Sequence, residues 1–499
     1  MFTTLRRSVA TLSVMTAFAG TVWLVGCSTN NNSGPGAESN PVVLKNQSVT
    51  PAFVKGLPAG VEVFSLVGSD DKLEQSPNFV FGGSADGAGL LKNADGTFTA
   101  LVNHEDNFAV SRITFDKTFK PVKGEYILNS TFGKWRLCSA TLTNQAEHGF
   151  TRFITCGESG EESQTHVIDP ASAPNTSVIA EGFGKWSAEN AVPLPSAAYS
   201  GKMVVIIGDD DSEVHGGQLA AYIGNPNDFQ NGNLYILART DNNVRERDMV
   251  AGRTYPVEFR QIPNQKTLTG RQINERSTEL KGISFGRVED IDYRKGSAAA
   301  AREVYFNVTG QNNSGVNADY SRTKYGRVYR LIMDAADPLK GTLEVILDGD
   351  DRNGPAKTFQ NVDNLVVTEN YVYTQEDPNR YGDETHDAYI YQYNIATKEM
   401  KVVMELDHRR TAADGVKYNT AITSAGMANI GPDGKSRFGT WEYGAMVDIS
   451  NIIGIPNTFM ISVQPHTWED VKFQGVDGGA LRPNESQGSQ LIIVRGLPR

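Results

Sequence analysis

From about residue 42 onward the chain is a series of short β-forming runs, each stopped by a turn, and this pattern constrains the fold more than any other feature. Val204-Val205-Ile206-Ile207 runs into GDDDS, residues 234–237 into ARTD, and residues 304–308 into TG. The same alternation of β-branched or aromatic runs with Gly, Asp and Asn continues through 326–334, 343–347, 364–377, 387–394, 398–407, 445–449, 459–463 and 491–494. Such residues fit a pleated, half-buried surface, and the turn residues close hairpins between them. Long amphipathic helix patterns are nearly absent. Forty-nine glycines supply turns, and 39% hydrophobic residues suffice for a core. The expectation is an all-β fold, a β-propeller of about six blades with long loop insertions, because radial closure leaves only short, protected edges. Two β-sandwich domains are the alternative. The polar stretches 250–280 and 310–324 read as long loops over one face.

The first 26 residues are of another kind. Arg6 and Arg7 precede a small-residue apolar stretch ending Leu24-Val25-Gly26-Cys27. A basic start, a short apolar centre and a cysteine after a small residue form a bacterial lipoprotein signal. The charge sets the orientation, Gly26 admits the peptidase, and the Cys27 thiol takes the lipid. An ordinary secretory signal or an uncleaved anchor is the alternative, and the paired arginines also match export of a folded protein. Residues 27–41 read as the lipidated cysteine and a polar tether, too poor in apolar side chains to offset its ordering entropy. Residues 42–499 read as a single domain, and no later run of 18 apolar residues occurs. The expected location is the bacterial cell envelope, lipid-anchored.

Charge and motifs then exclude much of the chemistry. With 47 Lys and Arg against 58 Asp and Glu, the net charge of −11 gives no basic footprint for nucleic acid. Three cysteines and no CxxC exclude disulfide-dense, zinc-ribbon and thioredoxin readings. No GxxxxGK[ST] occurs, and the seven histidines form no HExxH. What remains is oxygen: NHED at 103–106, CGESGEES at 156–163, GDDDSEVHGG at 208–217, RVEDID at 287–292, DGDDRNG at 348–354, QEDPN at 375–379 and HTWED at 466–470. Any one of these is an ordinary turn. Converging carboxylates, however, repel unless cations or protons compensate them, and hard oxygen donors favour calcium or magnesium. One thiolate among them adds a preference for iron or zinc. Cys156, followed by Glu158, Glu161 and Glu162, is the candidate thiolate; an inert buried thiol or a disulfide to Cys138 are its other readings. Cys138, in WRLCSA, has no acidic neighbours in sequence and reads as structural.

The order NHED, ITCGES, GDDDS, FGRVEDID, REVYFNVTG, NVDNLVVTENYVYTQED resembles the PhoX family of bacterial alkaline phosphatases, in short islands across residues 80–470. The family's NHE segment is matched by Asn103-His104-Glu105, its cysteine segment by Thr155-Cys156-Gly157-Glu158, its R-x-E segment by Arg287-Val288-Glu289, and its D-N-L segment by Asp363-Asn364-Leu365 through Glu376 or Asp377. The chain departs from the family's tryptophan-rich approach to the cysteine, and has Ala188-Glu189 where a His-Glu pair is usual. The resemblance implies hydrolysis of a small phosphomonoester in a propeller carrying calcium and iron. It implies metal ligands at Glu105, Cys156, Glu158, Glu189, Asp209, Glu289, Asp363 and Glu376. The reacting centre is then Cys156, Glu289 and Arg287, with Arg287 either a partner of a ligand or a clamp on phosphate. The alternatives are a non-catalytic, calcium-stabilised binding lipoprotein and a calcium-dependent neutral-ester hydrolase; a monomer without nucleic-acid partners is expected in each case. Metabolic lipid labelling tests the N-terminal reading: the chain is expected to incorporate label and the Cys27→Ala variant to lose both label and membrane association, whereas an unlabelled parent chain overturns it.

Overall fold

The computed structural model describes residues 41–419 and 437–499, so Cys27, the expected signal and nearly all of the tether lie outside the described residues. No helix among the described residues is long and apolar enough to cross a membrane. The β-forming runs fall in strands, which among the described residues pair antiparallel into five hydrogen-bonded sheets. Four are of blade size, with four or five strands each. One of these closes the chain on itself, because Glu62–Gly68 near the start pairs with Gln490–Arg495 at the end.

The fifth sheet has nine strands, and it corrects the expectation of a single propeller of about six blades. The fold is four blade-sized sheets plus one separate, larger sheet. The strand responsible is Thr254–Ile262, which pairs with Asn233–Arg239 along one edge and Lys340–Asp348 along the other. It lies in a stretch expected to be loop. Its buried Val257 and Phe259 alternate with Glu258 and Arg260, so the period-two signal is diluted by charge. The same stretch contains the helix Gly270–Glu279, opened by a capping box between Thr269 and Gln272. Residues 310–324 hold only a short 3-10 turn.

One strand of each blade-sized sheet, and the two end strands of the nine-stranded sheet, surround a central axis. Ala85–Lys92 packs on Leu137–Leu142, then Ala188–Pro193, Val288–Tyr293, Val362–Val367 and Glu442–Asp448 follow, and the last returns to Ala85–Lys92. Apolar clusters fill the space between sheets, as where Tyr373 of one sheet meets Phe459 of the next with ring centroids 5.4 Å apart. Every one of these six strands breaks register with its outer neighbour near its first or second residue. Such bulges re-aim side chains. Here they turn consecutive residues toward the axis.

The displaced backbone is held from the adjoining sheet. Asn103 donates to the Cys138 and Ser139 carbonyls. Asn307 donates to the Asp363 and Asn364 carbonyls at 2.7 and 3.1 Å. Gln375 donates to the Gly444 carbonyl, and Ser462 to the Asp86 carbonyl at 2.8 Å. Each donor sits on the second strand of its sheet and reaches the next inner strand around the ring. Glycine serves where backbones nearly touch: a Cβ on Gly87 would lie 2.4 Å from the Ala140 nitrogen.

Away from the axis, His166 is buried, with Nε2 donating to the Gly133 carbonyl at 2.9 Å and Nδ1 facing the Ser177 hydroxyl at 2.9 Å. Burial pushes its pKa down to about 4. Because the folded value lies below the unfolded one near 6.5, the unfolded chain binds the extra proton. Stability is full above pH 6.5 and falls as pH drops toward 4, by roughly 3 kcal/mol for this group. Urea melts between pH 4 and 7 are expected to show that slope in the parent chain and a shallower one in His166→Gln; an unchanged slope refutes the assignment.

Candidate metal centre

Bulging delivers one ligand-type side chain from each inner strand to a cavity of about 440 Å³. Asp86, Cys138, Glu189, Glu289 and Asp363 are each second in their strand, and Glu442 is first in its own. The neighbouring strands run antiparallel, so their ends reach the same rim and add Glu105, Glu158, Asp210 and Asp377. Among the described residues, four groups have ligand atoms within 4.8 Å of one another: Asp86, Glu105 and Cys138; Cys138, Glu158 and Glu189; Glu189, Glu289 and Asp363; and Asp363, Asp377 and Glu442. Cys138, Glu189 and Asp363 each belong to two of them. These clusters could coordinate divalent or trivalent metal ions.

The electrostatics of the bare protein are unfavourable at this spacing. Burial first, and then neighbouring carboxylates, raise Asp86, Glu189, Glu289, Asp363 and Glu442 well above the ordinary carboxylate range. Burial, with Asp210 and Glu105 beside it, pushes Glu158 up to about 8. The Cys138 thiol lies 3.0 Å from Glu158 Oε2, and burial with the Glu105 and Glu158 charges raises it well above its usual value. Buried oxygens Asp86 Oδ1 and Asp363 Oδ1 have no hydrogen-bond partner in the protein.

Cationic side chains answer part of this charge. Arg287, in the left-handed region at φ 72°, donates from Nε to Asp210 at 2.6 Å, from NH2 to Asp210 at 2.9 Å, and from NH1 to Asn379 at 2.7 Å, with Glu289 at 3.2 Å. Burial opposes ionisation of Asp210, but this guanidinium holds its carboxyl below the usual range. Arg136 pairs with Glu105 at 3.0 Å and Asp106 at 3.2 Å. His466 bridges Gln487 at 2.8 Å and Glu442 at 3.1 Å.

Glu105, Glu158, Glu189, Glu289 and Asp363 are thus brought together, and Arg287 lies against them. Three expected ligands are elsewhere. Cys156 is on a second strand, one step from the axis, among Ile154, Phe183 and Trp186; Thr165 donates to its sulfur at 3.5 Å and burial pushes its thiol up to about 12. Both Cys138 and Cys156 are free thiols, so the disulfide reading falls with it. Glu376 points outward and accepts from the Gln360 and Tyr389 amides, His386 and the Tyr391 hydroxyl. Asp209 is buried but does not line this cavity; its neighbour Asp210 does. In both carboxylate cases the strand's period of two sends the next residue inward. Sequence reasoning missed Asp86, Asp210 and Glu442, read Cys138 as structural, and offered Asp377 only as the alternative to Glu376.

No family model and no curated protein matches the chain. Among solved structures, PhoX of Pseudomonas fluorescens in complex with vanadate, a transition-state analogue, matches with a TM-score of 0.60 at 12% identity, over 91% of this chain and 98% of that one. The two share a fold. The GH93 α-L-arabinofuranosidase of Fusarium graminearum gives a TM-score of 0.38 at 10% identity over 86% and 97%. The catalytic domain of the Coprinopsis cinerea GH62 α-L-arabinofuranosidase gives 0.33 at 11% identity over 68% and 94%.

Asp363→Asn removes one charge from the cluster and nearly keeps its shape. It is expected to raise the melting temperature of the chelator-treated protein, by relieving repulsion, and to reduce the further rise that added calcium produces. Shifts of the same sign under both conditions contradict a repulsive cluster awaiting cations.

Proposed function

We propose that the chain is a metal-dependent hydrolase of phosphate monoesters, held at the bacterial cell envelope by lipid on Cys27. The observation that carries this reading is the sharing of ligands: three side chains each serve two adjacent groups, an arrangement suited to several neighbouring cations. The fold shared with PhoX, itself solved with a transition-state analogue, supports phosphate chemistry. Donor chemistry fits calcium at the all-carboxylate groups and iron beside the Cys138 thiolate. Cys138 thereby takes the role first given to Cys156.

Bound cations would supply the positive charge that gathers phosphoryl oxygens and lowers the pKa of an attacking water. The protein's own part is to hold ligands and protons in place. Arg287 has its fork filled by Asp210, Glu289 and Asn379, which makes it a positioning residue for two carboxylates rather than a free clamp on phosphate. Gln464 donates to Glu105 at 3.1 Å, and the Ser139 amide to Glu189 at 3.0 Å, fixing each carboxylate's orientation. His466 Nδ1 donates to the Gln487 side-chain amide oxygen, which turns Nε2 toward Glu442 Oε1 at 3.1 Å on the cavity wall.

The test is p-nitrophenyl phosphate turnover with iron and calcium content. Cys138→Ser keeps the size but offers a harder, poorly ionised oxygen, and is expected to lower iron content and turnover together by at least tenfold, about 1.4 kcal/mol. Cys156→Ser is expected to cost stability while leaving both intact. A metal-loaded parent chain that turns over no monoester defeats the proposal; an active parent whose Cys138→Ser variant keeps its iron and rate removes the thiolate from it.

A further inference from the structure

Beside the acidic cavity lies a second one of about 630 Å³, and the two share Glu158, Asp210 and Arg287 as a common wall. Glu158 contacts Cys138 on one side and lines the larger cavity on the other. A phosphate held among the cluster residues therefore has this space open to whatever group its ester oxygen carries. The volume lies within the range of small-molecule sites and exceeds the needs of one hexose-sized group.

The lining is specific in what it offers. Beyond the shared wall it presents the carboxylates of Glu161, Asp211 and Glu213, with Asn379 and Tyr381. Arg287 is the one cation among the lining residues, and its donors are already directed at Asp210, Glu289 and Asn379. Arg322, behind the wall, donates to the Glu213 and Val214 carbonyls and to Gln311. The Asn379 side-chain nitrogen is buried with no hydrogen-bond partner in the protein. The wall thus supplies many acceptors, a buried unpartnered donor on Asn379 and an aromatic ring, but no uncommitted positive charge. Hydroxyl groups donate strongly to carboxylates and can accept from Asn379. A second phosphate or a carboxylate would meet like charge. An aryl or acyl group would leave the acceptors unpaired.

We propose that this cavity is the leaving-group subsite and that it takes uncharged, hydroxyl-rich groups, making sugar and polyol monophosphates the substrate class. The inference rests on the phosphatase reading and adds selectivity to it. Glu213 is exposed and outside the sheets, so its charge can be reversed with little risk to folding.

The experiment compares kcat/KM of the metal-loaded full chain for glucose 6-phosphate, phosphocholine and 3-phosphoglycerate, beside calorimetric titration of the same three compounds. Glucose 6-phosphate is expected to exceed 3-phosphoglycerate by at least tenfold, and Glu213→Lys to narrow that ratio about fivefold. Tyr381→Ala is expected to weaken glucose 6-phosphate more than phosphocholine. Equal turnover of all three, unmoved by Glu213→Lys, overturns the subsite and leaves the phosphatase standing. Phosphocholine as the preferred substrate overturns the polyol assignment in favour of a cation subsite. No turnover but selective, Glu213-dependent binding of glucose 6-phosphate removes the reaction and keeps the subsite; neither turnover nor selective binding removes both.

Discussion

Like charges packed around one axis set the terms for the rest of this molecule. Two unit charges 4 Å apart in a protein-like dielectric repel by about 4 kcal/mol, and the cavity holds four interlocking groups at such spacing. Fully ionised and uncompensated, they would cancel much of a domain's net stability, which is only about 5–15 kcal/mol. Two responses are visible. Carboxyl groups are driven toward their protonated forms, and arginines stand at the edges of the cluster, where they order carboxylates without filling its centre. The centre itself carries the unpartnered oxygens of Asp86 and Asp363, in groups that could coordinate cations.

Holding such a cluster open requires a frame that does not relax away from it. Closure by the pairing of Glu62–Gly68 with Gln490–Arg495 supplies one part, since it ties the two ends of the described body into one sheet. The amide and hydroxyl bonds from Asn103, Asn307, Gln375 and Ser462 supply another. These bonds satisfy carbonyls that the bulges leave out of the strand ladder, where an unpaired buried group costs about 1–3 kcal/mol. The same bonds fix the angle at which each ligand enters. Stability and ligand geometry are therefore properties of one set of contacts.

Much of this was legible in the sequence, and the failures share a cause. Strand content and acidic chemistry could be read directly, and the cavity carboxylates Glu289 and Asp363 from RVEDID and NVDNLV, because each stands next to a hydrophobic residue at a strand start. Reading carboxylates as lying just after strands located Glu105 and Glu158 but passed over starts such as Ala85-Asp86-Gly87 and Leu137-Cys138-Ser139, which carry no acidic run. Aligned with Ala188-Glu189-Asn190, Val288-Glu289-Asp290 and Val362-Asp363-Asn364, they show one repeated triplet: an aliphatic or small residue, a ligand, then a small or polar residue. That self-similarity would have chosen Cys138 over Cys156. The slips at Asp209 and Glu376 are one-residue errors of phase, which no acidic pair can resolve by itself when both of its members are carboxylates.

The third member of that triplet explains why the cavity has one chemical end. Asp290 follows Glu289 but takes no part in the ligand groups. It accepts from Ser139 at 3.0 Å, from Asn190, and from the Leu365 amide at 3.0 Å, joining four inner strands across the axis. Burial pushes it up only to about 6, because these donors favour its ionised form against the cost of desolvation. Beneath this junction a separate cavity of about 600 Å³ opens on the opposite side, walled by Leu142, Val192, Leu365 and Val447 as well as polar groups. The axis is thus sealed by a hydrogen-bonded carboxylate instead of an apolar plug. A carboxylate with its acceptors satisfied places negative charge directly under the ligand groups, and it favours cations above it without competing to bind them.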